Sequence, residues 1–209
     1  MAESKQGKFI VFEGLDGSGK STQIALLAQR LRQKGRTVSC TAEPTSSATG
    51  GLIRDSLSGC TARGAAELAA LFLTDRVAHN QNPVWGFRRE LDAGTDVICD
   101  RYYYSSFAYQ GMGTDLRWIM DANLNCPDIR RPDLCIFLDV DYRKCKQRLD
   151  AGRAYLEIYE TDLQVMENTR KLFFRVFELL KDRENIRIVD ADRPPEQVAD
   201  EIEQIYLSL

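Results

Sequence analysis

The groups best able to hold a chain of phosphates are concentrated in one run, Phe12 to Thr22, FEGLDGSGKST. Gly14 is followed, after four residues, by Gly19, Lys20 and Ser21; an apolar stretch at Phe9 to Phe12 precedes the run and a helical pattern from Ser21 to Gln33 follows it. Strand, glycine-rich loop and helix in that order let successive backbone N–H groups turn toward phosphate oxygens. Gly14, Gly17 and Gly19 keep the loop tight and unobstructed, with Ser18 and Thr22 completing it. Lys20 can carry a mobile charge to the β- and γ-phosphates, the Ser21 hydroxyl suits Mg²⁺, and the helix N-terminus adds its positive end. A nucleoside triphosphate is the expected ligand.

Other residues could complete a phosphoryl-transfer site. Asp16 lies inside the loop, where a carboxylate would repel phosphates unless it met a donor; it is expected to orient a basic residue or a sugar hydroxyl, or else to cap the loop. The segment Asp100 to Gly111, DRYYYSSFAYQG, follows an apolar run directly. Within it the planar fork of Arg101 suits a pair of phosphate oxygens, and Asp100 could orient that arginine or reach Mg²⁺ through water. Tyr102 offers a flat wall, and Ser105, Ser106 and Gln110 offer hydrogen bonds to a base or sugar. Phe72 and Arg76, four apart on a helical stretch, can stack a base and hold its phosphate together. Arg148 and Arg153 flank a short polar turn around Gly152, with Glu157 and Glu160 beyond; Arg153, beside the glycine, is the stronger candidate for an arginine that closes on the transferring group. His79, the single histidine, is expected on the helix surface or the rim of a pocket.

Positioning these groups requires a particular frame. Apolar or β-branched runs at Phe9 to Phe12, Thr37 to Thr41, Asp96 to Cys99, Leu134 to Val140 and Ile186 to Val189 alternate with segments of helical period, the pattern of a parallel sheet covered on both faces. Gly14 to Ser21, Glu43, Asp100 to Tyr102 and Asp139 would then gather at the C-terminal edge of the strands. A long helix is expected over Gly64 to Trp85, roofing the cleft, and a lid at about 148–160 between helices at Tyr142 to Leu149 and Thr161 to Leu180. The 209 residues suffice for one well-buried core, so residues 1–209 read as one domain. A formal charge of −3 shows no basic excess, which argues against nucleic acid as a partner. Nothing resembles a signal peptide or a membrane span, so no membrane is involved and a cytoplasmic location is expected. The six cysteines include no CxxC pair and are expected to be buried free thiols.

Together these motifs resemble the thymidylate kinase family: FEGLDGSGKSTQ its phosphate loop, Phe72 and Arg76 its base-stacking and monophosphate-binding pair, and residues 100 to 111 its DRY segment. VDADRPPEQV, residues 189 to 198, is similar to its last strand and loop. The resemblance spans essentially the whole chain. It implies an α/β P-loop NTPase fold with a five-stranded parallel sheet, transfer of a phosphoryl group from ATP to dTMP with Mg²⁺, and a homodimer packed through the long helices. By the same pattern Asp16, Lys20, Arg101 and Arg153 are catalytic, Ala191 and Arg193 lie against the adenine, Tyr102 crowds the sugar and Gln110 reaches the base. Ala42 departs from the pattern, since an arginine often precedes the Glu43-Pro44 pair. A kinase for another pyrimidine monophosphate, or a nucleotide-binding protein without turnover, are the alternatives.

Overall fold

The computed structural model describes residues 6–152 and 157–209. Five strands, β1 (Phe9–Glu13), β2 (Val38–Ala42), β3 (Asp96–Asp100), β4 (Leu134–Asp139) and β5 (Ile186–Asp190), form one parallel sheet in the order β2-β3-β1-β4-β5. The first strand made is therefore the central one. Successive side chains of a strand point to opposite faces, and β1 shows the consequence. Phe9 and Val11 enter a core with Phe107, Phe173 and Phe177, while Ile10 and Phe12 enter a second core with Leu27, Leu31 and Ile202. The sheet is thus covered on both faces, as its unbroken apolar runs require.

The helices on the Phe9 face include α3 (Ala65–Gln81), α5 (Tyr103–Tyr109), α6 (Leu116–Leu124) and α8 (Leu163–Leu180); α1 (Lys20–Gln33), α7 (Tyr142–Gly152) and α9 (Pro195–Leu207) cover the other. Two further helices, α2 (Ala48–Leu57) and α4 (Arg88–Asp92), complete the described set. α3 stops well before the expected Trp85. Its C-cap Asn82 precedes Pro83 and adopts an extended ψ of 126°, because the proline ring crowds the helical conformation of the residue before it. α8 starts at Leu163, where the Asp162 carboxylate accepts the N–H of Gln164 at 2.7 Å, a side-chain cap that fixes the start of the helix.

Two expectations need correction. Cys99, Cys135 and Cys145 are buried, but Cys40 and Cys60 are exposed and Cys126 is half-buried. Cys40 lies on β2, an edge strand with only part of its surface covered, and Cys60 follows the end of α2. His79 is not on the helix surface either: it is 2% exposed, held between Glu43 and Thr41, and lines a second cavity with Cys40 and Trp85. No described helix is long and apolar enough to cross a membrane.

Candidate active site

The loop between β1 and α1 owes its shape to three glycines at positive φ, Gly14 at 147°, Gly17 at 83° and Gly19 at 99°. Space matters as much as φ. A Cβ at Gly14 would meet the Leu138 carbonyl at 2.9 Å, and one at Gly17 would lie 2.5 Å from the Cys145 carbonyl, because α7 packs on the loop backbone. Lys20 is buried and folds over the loop, its Nζ donating to the carbonyls of Gly14 and Leu15, both at 3.2 Å, and lying 3.6 Å from Asp16. Ser21 and Thr22 are exposed at the start of α1, whereas Ser18 is buried and its Oγ has no partner among the described residues. A left-handed, glycine-lined turn with a free buried hydroxyl fits a phosphate chain.

Beside the loop opens a cavity of about 260 Å³. Asp16, Glu43, Phe72, Arg76, Asp100, Arg101, Tyr102, Ser105 and Gln110 all contribute to its wall, so most of the candidates drawn from four separate sequence segments share one space. The register explains this convergence, since Phe12 pairs with Asp100 and Ala42 does too, from the other side of β3. Cavity and loop meet at Asp16, whose Oδ2 lies 2.8 Å from Arg101 Nη2. Arg101 is the sole described non-glycine residue at positive φ, 67°. Its Nη1 donates to Ser105 Oγ at 2.8 Å, its Nη2 to the Tyr109 hydroxyl at 3.3 Å, and its guanidinium lies 5.1 Å from the Tyr109 ring. Burial works against its charge, yet Asp16, Tyr109, Glu13 and Asp100 around it hold the guanidinium pKa well above its ordinary value.

On the opposite wall Arg76 is 1% exposed and fully engaged. It pairs with Glu43 at 2.7 Å and donates to Asn123 Oδ1 at 2.6 Å and Ser106 Oγ at 3.2 Å. The second Glu43 oxygen meets His79 Nδ1 at 3.0 Å, whose other nitrogen lies 2.6 Å from Thr41 Oγ1. Of the described residues lining the cavity, two have a buried acceptor without a partner, Asp100 at Oδ1 and Gln110 at Oε1. Asp100 Oδ1 suits a hydrated cation and Gln110 Oε1 a donor on a ligand.

Some placements differ from the simplest sequence reading. Tyr102 contributes to the wall, but its side chain is wholly buried, its hydroxyl taken by Asn80 and the Arg130 carbonyl, at 3.1 Å for the latter. Ala191 and Arg193 lie apart from this cavity, on the connection from β5 to α9; Ala191 packs in the core with Leu15 and Ile24, and Arg193 binds the Asp190 carbonyl and Glu201. Arg153 falls outside the described residues. Arg148 docks on the loop, donating to the Gly17 carbonyl at 3.1 Å.

Sequence reasoning missed several wall residues. Arg54 and Leu57 come from α2, Tyr159 from the segment before α8, and Tyr109 from α5. Ile158 N donates to the Leu57 carbonyl at 3.0 Å, so the segment before α8 and the end of α2 close that side together. Glu13 was overlooked as well, although an acid ending the apolar run FIVF is a signal in itself.

The chain matches the thymidylate kinase family over residues 12–202. It is 37% identical over 204 residues to the "Probable thymidylate kinase" of Pyrococcus abyssi, covering 94% of each chain. The "Thymidylate kinase" of Thermomicrobium roseum is 37% identical over 198 residues, 93% of this chain and 91% of its own. That of Clavibacter sepedonicus is 37% identical over 200, with 94% and 92% covered. Similarity of this extent, carried across both the phosphate loop and the cavity walls, means that the protein belongs to the thymidylate kinase family.

Proposed function

We propose that this protein transfers the γ-phosphoryl group of ATP to dTMP, yielding ADP and dTDP. A phosphate oxygen of dTMP forms the new O–P bond as the bond between the β–γ bridging oxygen and the γ-phosphorus breaks. The observation that carries the reading is the Asp16–Arg101 pair, 2.8 Å apart, standing where the phosphate loop joins the cavity. A cation held there faces both phosphate groups, and phosphoryl transfer depends chiefly on such positioning and charge.

Within this reading Lys20 and the loop N–H groups bind the triphosphate. Arg101 offsets charge on the transferring group, and Asp16 keeps it oriented. Phe72 faces the base, Gln110 offers its unpaired oxygen to it, and Tyr159 with Leu57 keeps water from the reacting atoms. Mg²⁺ supplies further charge neutralisation, with Ser21 and Asp100 the side chains that would hold it. A homodimer belongs to the same proposal. Trp118 on α6 is 43% exposed, and Ala66, Ala70 and Thr74 form an open small-residue face on α3.

The test is ADP release from Mg-ATP with dTMP, dUMP, dCMP, dAMP, dGMP, UMP and thymidine. Strong turnover confined to dTMP is expected. Preference for another monophosphate would overturn the substrate assignment, and ATP binding without turnover would overturn the catalytic one. Arg101→Ala should lower kcat about tenfold or more, the equivalent of roughly 1.4 kcal/mol of transition-state contact.

A further inference from the structure

Glu13 closes β1 and shares its face with Phe9 and Val11, so its side chain points into the apolar core that carries α5. It is 0% exposed. A carboxylate in such a place is costly unless its neighbours compensate it. Glu13 Oε1 accepts the backbone N–H of Tyr102 at 2.9 Å and of Ser105 at 3.1 Å, tying down the first turn of α5, whose N-cap Tyr102 makes no side-chain cap of its own. Those two bonds could be accepted by a neutral side chain.

The third bond has no part in capping. Ser105 donates its hydroxyl proton to Glu13 Oε2 at 2.6 Å, which turns the lone pairs of Oγ outward, and Arg101 Nη1 donates to that oxygen at 2.8 Å. Arg101 Nη1 itself lies 4.0 Å from Glu13 Oε2. Glu13, Ser105 and Arg101 thus form a chain running from the core to the cavity wall. It stiffens the one described non-glycine residue held in the left-handed region, a strained conformation that persists only where the surroundings enforce it.

We propose that Glu13 is a positioning residue for phosphoryl transfer: through the Ser105 hydroxyl it holds the Arg101 guanidinium at the junction of phosphate loop and cavity. This rests on the function proposed above. Glu13 touches no substrate, and its effect passes through Arg101 alone.

The experiment compares the wild type with Glu13→Gln, Arg101→Ala and the double variant, reading kcat, the KM for dTMP and the melting temperature of each. Glu13→Gln keeps the length and the capping oxygen but not the charge. At pH 8.5, where the wild-type carboxyl is ionised, its kcat should fall about tenfold, with KM for dTMP moving less than about threefold. In the Arg101→Ala background the same substitution should change kcat by less than about twofold, since the group it positions is gone. Equal losses in both backgrounds, or a wild-type kcat in Glu13→Gln, would overturn the proposal. If Glu13→Gln fails to fold, Ser105→Ala breaks the chain at its middle and must show the same dependence on Arg101; independence sinks the idea. A wild type inactive with dTMP but active with another monophosphate would defeat the substrate assignment alone, and the cycle would then be read with that substrate. A wild type inert toward every monophosphate would defeat both.

Discussion

The glycine loop after β1 and the cavity beside it are built by opposite means. In the loop the work falls to the backbone: three glycines at positive φ, a carbonyl-bound lysine, and a neighbouring helix so close that Gly17 has no room for a Cβ. In the cavity it falls to long charged side chains sunk into the core, with Arg76 and Glu43 each 1% exposed at the side chain. The loop therefore depends on shape and has no room for an added atom at Gly14 or Gly17. The cavity depends on balance and tolerates no missing partner.

Removing a partner should have the larger effect. Arg76→Ala leaves Glu43 buried without its guanidinium, and losing one half of a buried ion pair costs about 3–5 kcal/mol. Chemical denaturation would show it, and a loss below about 1 kcal/mol would break the contrast. Glu13 tests the same principle through pH. Burial pushes its carboxyl from 4.5 up to about 7, against the pull of Arg101, the bonds from Ser105 and Tyr102, and Lys20. The folded state thus binds the Glu13 proton more tightly than the unfolded state, so this group favours folding below about 4.5 and loses that contribution as pH rises through 7. The nearby thiols of Cys99 and Cys135 and the Tyr109 hydroxyl are all raised by burial and stay protonated across that range. Glu13→Gln should therefore gain on the wild type between pH 5 and pH 9, approaching about 3 kcal/mol. Melting temperatures measured across that range check the sign; a gap that narrows would refute it. On the loop, Gly17→Ala must strain φ and push α7, through the Cys145 carbonyl, away from the loop, at a cost of about 1–3 kcal/mol, with weaker ATP binding by calorimetry. A change confined to stability would mean that the loop does not transmit its shape to the ligand.

The same contrast governs what can be read from sequence. The loop was legible because its physics is local: glycine spacing, a lysine and a hydroxyl lie within a dozen residues. The inner strands β1, β3 and β4 were legible for a related reason, since strands covered on both faces demand unbroken apolar runs. The cavity was legible where a segment carried several polar groups at once, as Asp100 to Gly111 does, or where two useful groups fell four apart on a helix, as Phe72 and Arg76 do. Arg54 and Leu57 escaped notice because each is one ordinary residue on an amphipathic helix, brought to the site by tertiary packing. His79 misled for the opposite reason. A lone histidine among helical residues reads as surface, and only the approach of Glu43 and Thr41 from another element makes burial tolerable. The end of α3 was misplaced because helical periodicity continued past Pro83, whose local geometry prevailed.

The central place of β1 has a consequence for the protein's birth. Its neighbours in the sheet are β3 and β4, and the bond from Phe9 N–H to Asp133 spans 124 residues. At a synthesis rate of about 5–20 residues per second, roughly 6–25 s separate the appearance of Phe9 to Phe12 from that of the strand which completes their cover. For that interval the most apolar stretch near the start of the chain has no native partner on one side, and Lys8 and Glu13, opposite charges at its two ends, are the residues placed to keep a nascent strand from pairing with the wrong one.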